Sequence, residues 1–126
     1  MRYMMIMIPE VYRKTISPDF RPDPEAVRAM GAFNERMRSA GVLLTLDGLT
    51  PPAAATRVSF AGGRPMVTDG PFAETKEVVG GFWMIRVDSQ QEAIEWATRC
   101  PAAPGDVIEI RRVYEPEDIA PKGGTR

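Results

Sequence analysis

Two hydrophobic periods alternate along this chain, and their order is the first clue to its architecture. Residues 3–8, YMMIMI, form an unbroken apolar run of strand length. After a loop rich in Pro and charge, Ala26, Met30, Phe33, Met37 and Ala40 recur at helical spacing, which predicts an amphipathic helix with one stripe turned to a core. Asp23, Pro24 and Glu25 suit its start: a capping carboxylate, a ring in the first turn where the missing N–H does no harm, and an acid at the positive end of the dipole. Gly41 supplies a left-handed stop. Residues 42–46, VLLTL, predict a second strand, ended by Gly48 and by Pro51 and Pro52.

Residues 56–60 and 64–68 predict a hairpin that turns at Gly62 and Gly63. Pro65 cannot donate to a ladder, so its arm belongs at an edge. Residues 81–87, GFWMIRV, have the aromatic and branched content of a strand. Ser89 and Glu92 have the spacing of a capping box; Ala93, Ile94, Trp96, Ala97 and Cys100 mark the buried side of a second helix, which Pro101 stops. Residues 107–114, VIEIRRVY, predict the last strand, and a flexible tail is expected at 115–126.

The resulting plan is an α+β, ferredoxin-like βαββαβ fold with an inserted β-hairpin, a single domain over residues 1–114. In that plan the first and third principal strands are central. Met5 and Met7 point one way while Met4, Ile6 and Ile8 point the other; Phe82 and Met84 likewise oppose Trp83, Ile85 and Val87. Both helices cover one face, so the other holds at least four large apolar side chains. Left in water they forfeit about 6–12 kcal/mol, at about 1.5–3 kcal/mol each, comparable to the stability of an ordinary domain. The expected cover is the same face of a second copy, giving a homodimer and a dimeric α+β barrel. The alternative is that the hairpin folds over the sheet within one chain.

Composition narrows the chemistry. The chain has 126 residues, a one-domain length, and its 16 basic and 17 acidic side chains are scattered, which argues against direct nucleic-acid binding. No apolar run approaches a membrane span, and MRYMMIMIP is too short for a signal sequence. The single Cys100 excludes an internal disulfide and reads as a small core residue; a cytoplasmic location is expected. Histidine is absent, which removes Ser-His, Cys-His and His-ligated metal chemistry together. No metal or cofactor is expected, and any general acid or base must be a carboxylate, Lys, Tyr or Cys.

The segment 67–82, VTDGPFAETKEVVGGF, concentrates the candidates. As a turn, it uses Asp69 to bond the backbone, Gly70 for freedom and Pro71 to fix direction. As a site, it offers Asp69 as a carboxylate base raised by burial, with Glu74 and Lys76 as substrate-binding residues. Arg86, the one charge in an apolar central strand, and Arg111, which shares a strand face with Glu109, are further substrate-binding candidates; each also has a plain reading, at the sheet's solvent end or in cross-strand pairing.

The string TDGPFAETKE at 68–77, followed by GGFWMI at 80–85, resembles the signature of the DGPF group of YCII-related proteins. AGVLL, DGL and PP within 40–52, EAIEWA and RCPAA within 92–103, and IEIRRV at 108–113 extend the similarity over nearly the whole chain. The resemblance implies a dimeric α+β barrel. Shorter YCII-like proteins have a His-Asp pair proposed as catalytic, and this chain has no His to match it. DGPF-type relatives encoded beside extracytoplasmic-function sigma factors imply an accessory role with a sigma factor as partner. Two functions therefore stand side by side: a cofactor-independent protein that binds or transforms a small organic molecule in the barrel, and a non-catalytic regulatory module.

Overall fold

The computed structural model describes residues 1–13, 17–70 and 78–121. Strand β1, Arg2–Ile8, leads through a 3-10 turn at Glu10–Arg13 to helix α1, Pro24–Ser39. The start of α1 is capped as its residues predict, with the Asp23 carboxylate accepting from the Ala26 N–H at 3.2 Å. Its exit passes through Gly41 at φ +76°, a conformation that a side chain resists. Strand β2, Leu43–Gly48, is followed by the short strands β3, Thr56–Ser59, and β4, Met66–Asp69. Strand β5, Gly81–Arg86, helix α2, Gln90–Thr98, and strand β6, Val107–Arg112, complete the principal elements. Ser89 caps α2 by accepting from the Glu92 N–H at 3.2 Å.

The four principal strands form one antiparallel sheet in the order β2-β5-β1-β6, so β1 and β5 are central as their apolar content predicts. Met5 lies opposite both Trp83 and Ile110. Tyr3, Met5, Met7, Trp83 and Ile85 point to the helices and are buried with Phe33 and Met37 of α1 and Ala93 of α2. Phe33 meets Trp83 edge to face, with ring centroids 5.8 Å apart, and Trp83 Nε1 donates to Asn34 Oδ1 at 2.7 Å. That bond lets a large aromatic enter the core without stranding its polar atom.

The stripe on α1 is shorter than its periodicity predicts. Phe33 and Met37 are buried and Met30 partly so, but Ala26 and Ala40 are exposed. The first turns of α1 therefore run clear of the packed core. Cys100 lies two residues beyond the last helical residue of α2, half-buried, with its Sγ 3.8 Å from Met30 Sδ.

The opposite sheet face carries Met4, Ile6, Phe82 and Met84, all only partly covered. Its cross-strand rows are Thr45, Met84, Met4, Arg111 and Asp47, Phe82, Ile6, Glu109: apolar centres with polar ends. The hairpin does not supply the missing cover. Strands β3 and β4 form their own two-stranded sheet, and every residue in both is exposed. Pro65 sits just before β4 rather than within it, where its lack of an N–H interrupts no ladder.

Residues from Glu115 onward, where a tail is expected, begin with a short helix, α3, Pro116–Ile119. Glu115 takes two bonds from the Arg2 guanidinium, both at 3.0 Å, and Asp118 pairs with Arg112 at 2.7 Å. These contacts tie α3 to the end of the sheet that holds the start of β1 and the end of β6. Residues 122–126 lie outside the described part.

Candidate functional site

The glycines at one end of the sheet border a concavity among the described residues. Gly48 and Gly81 lie opposite each other across β2 and β5, and Met7 opposes Gly81 from β1. Gly80 donates to the Met7 carbonyl at 2.7 Å and accepts from the Leu49 N–H at 2.9 Å, which closes the backbone at that end. A Cβ on Gly80 would meet Pro9 Cγ at 2.6 Å, so only glycine lets these two segments approach.

Beyond this junction the free first turns of α1, the 3-10 turn after β1 and the Pro-rich loops enclose a groove of about 890 Å³. Its walls are mainly apolar, among them Val11, Tyr12, Phe20, Val27, Met30 and Leu49. Tyr12 organises one wall. Its hydroxyl donates to the Leu49 carbonyl at 2.8 Å, and its ring meets Phe20 edge to face at 6.2 Å. Burial pushes the Tyr12 hydroxyl up from its ordinary pKa, because the phenolate loses solvation there. A smaller pocket of about 190 Å³, reaching Asn34, Phe82 and Trp83, shares Met7, Met30, Gly48 and Gly80 with the groove.

The charged groups of the lining are largely committed. Asp23 caps α1, while Asp106 accepts from the N–H groups of Glu10 and Ala103, both at 2.8 Å. Arg21 makes no ion pair within 4.0 Å among the described residues, and the described lining contains no Lys, Ser or Cys. Such a surface suits holding an apolar body with few polar anchors. No group of three or more Asp, Glu or Cys side chains is arranged to hold a metal among the described residues.

The candidates named from the sequence are dispersed. Asp69 ends β4 on the hairpin, exposed, with Thr56 Oγ1 donating to its Oδ1 at 2.8 Å. Among the described residues, the enclosure that a base role calls for is not found around it. Arg86 ends β5 opposite Arg2, at the other end of the sheet from Gly81, roughly 17 Å along the strand. Arg111 lies on the partly covered face next to Met4, with Glu109 at 3.8 Å. Glu74 and Lys76 lie outside the described residues. None of Asp69, Arg86 and Arg111 lines the groove.

Two further titratable groups are structural. Cys100 has its pKa pushed up to about 11, first by burial and then by the charge of Asp106, so its thiol is a poor nucleophile. Glu115 is held below the usual carboxylate range, chiefly by its hydrogen bonds from Arg2.

Sequence reasoning missed the groove residues. One signal was present: Phe20 is a lone aromatic within the polar, Pro-rich stretch SPDFRPDP at 17–24, where an exposed aromatic has no reason to be. In the fold it packs against Tyr12.

Comparison with known proteins gives two findings. The family model of the YCII-related domain matches residues 1–117, three residues into the expected tail. An uncharacterised protein of Rhizobium meliloti (strain 1021) is 37% identical over 75 residues, and that match spans 60% of this chain and 60% of the relative's length.

Proposed function

This chain belongs to the YCII-related family, and we propose that it is a DGPF-group member, a cytoplasmic homodimer that binds a small, largely apolar organic molecule without a cofactor. The observation that carries the reading is the groove at the Gly48 and Gly80 end of the sheet, large enough for a drug-sized molecule and walled by aromatic and aliphatic side chains.

We further propose Asp69, Glu74 and Lys76 as polar partners of the ligand, with Asp69 the acid–base candidate for any transformation; in support, Gly80, which follows the DGPF string in the sequence, lines the groove. Arg86 and Arg111, which flank the partly covered sheet face, are assigned to the dimer interface rather than to the ligand. Cytoplasmic residence is supported by Cys100, a half-buried free thiol.

The test is a small-molecule library screened by ligand-observed NMR against the wild-type protein and Val27→Trp. Val27 is an exposed residue of α1 that lines the groove, so the larger side chain fills the site without entering the core. Saturable binding of one molecule per chain, lost in Val27→Trp with cooperative unfolding retained, is expected. Binding that is indifferent to Val27→Trp would move the site elsewhere. Direct capture of an extracytoplasmic-function sigma factor by a protein whose groove binds nothing would favour the accessory role instead.

A further inference from the structure

We propose that the β3–β4 hairpin is an arm that lays its Val58 and Val67 face on a second copy of this chain, and that this contact encloses Asp69. The inference rests on the homodimer reading above and adds to it where the interface extends and what it does to Asp69.

The ribbon has two unlike faces. Its register sets Val58 opposite Val67 and Thr56 opposite Asp69, and residues directly opposite share a face with those two positions along. Thr56, Val58, Val67 and Asp69 therefore stand together, as the Thr56 to Asp69 hydrogen bond confirms. Arg57, Ser59, Met66 and Thr68 occupy the other side. Alternation of this kind marks a face built to be covered. Yet Val58 is 53% exposed, and Val67 and the adjoining Phe60 are 67% exposed. Among the described residues the two strands pack extensively on each other alone. A lone two-stranded ribbon is marginal in water, and several large apolar groups exposed side by side mark an interaction surface.

The occupant is a second copy because each chain already carries the complement. The face with Met4, Ile6, Phe82 and Met84 is apolar at its centre and only partly covered. At its flanks stand Arg86, which makes no ion pair within 4.0 Å among the described residues and feels the Glu115 carboxylate only from beyond that distance, and Arg111, held loosely by Glu109 at 3.8 Å. The arm presents apolar groups beside the Asp69 carboxylate, so hydrophobic surface meets hydrophobic surface and acid meets base. With the apolar centres of the two faces set against each other, each copy's arm reaches the flank of its partner's face, and the two-fold exchange closes without further partners. Asp69, exposed in the single chain, becomes enclosed only through that exchange, so the site is incomplete in one copy.

Sedimentation equilibrium and amide hydrogen exchange on the full chain test this. The wild type is expected to be dimeric at micromolar concentration, with the amides of residues 56–69 protected beyond what an isolated ribbon shows. Val58→Asp with Val67→Asp is expected to raise the dimer dissociation constant at least about tenfold and to remove that protection. Both side chains are exposed, so the single chain's fold should survive the change. A dimeric wild type with a freely exchanging hairpin overturns the arm and leaves the dimer standing. A wild type that is monomeric yet protected at 56–69 overturns both, since the ribbon then finds cover in its own chain.

Discussion

The helix-side face of the four-stranded sheet and the β3–β4 ribbon are built alike and end up in opposite conditions. Both are antiparallel and both set apolar side chains opposite one another across strands: Met5 with Trp83 in the sheet, Val58 with Val67 in the ribbon. Met5 is fully buried, whereas Val58 and Val67 are open to solvent. The difference lies outside the strands. In the sheet, α1 and α2 bring Phe33, Met37 and Ala93 onto the apolar side; in the ribbon, no described element does so. Alternation decides which side of a strand pair is apolar, and the pieces of chain available to reach that side decide whether it is covered.

Three substitutions sharpen the contrast. Phe33→Ala empties the centre of the helix-covered side, where the ring is fully buried and contacts Trp83. It should cost about 3–5 kcal/mol in denaturant unfolding, and a cost within about 0.5 kcal/mol would mean that this side is not the principal core. Gly80→Ala acts just before β5, beside the groove, pressing a Cβ against Pro9 at 2.6 Å. It should cost about 1–3 kcal/mol through overpacking and weaken groove binding, measured by titration of a screened ligand; unchanged stability and affinity together would deny the close approach any role. Val67→Thr on the ribbon should change stability by no more than about 0.5 kcal/mol, measured by Trp fluorescence at concentrations where the chain is single. A loss of about 2 kcal/mol there would show that the ribbon is covered within its own chain and erase the contrast.

Much of the fold was legible because its signals are local. Asp23, Gly41 and Ser89 mark helix ends through bonds that span three or four residues or through a single backbone angle. The apolar runs at 3–8 and 81–87 identify the central strands, which lie between β2 and β6 in the sheet. The candidate site was less legible. Tyr12, Phe20, Val27 and Leu49 come from a 3-10 turn, a Pro-rich loop, the free end of α1 and the exit of β2, with no common period. Asp69 drew notice for its unusual neighbours in the sequence, and the fold gives it a cross-strand hydrogen bond with Thr56.

What the amino-acid order determined by itself was the succession of elements, the identity of the central strands and the apolar side of each, because periodicity and capping depend on residues a few positions apart. What only the tertiary structure decided was which apolar sides receive a cover and where a hollow remains. That outcome depends on where α1 runs past the sheet, on the backbone of Gly80 meeting Pro9 and on how far the hairpin stands from the helices. These are distances between segments remote in sequence, and no local pattern encodes them.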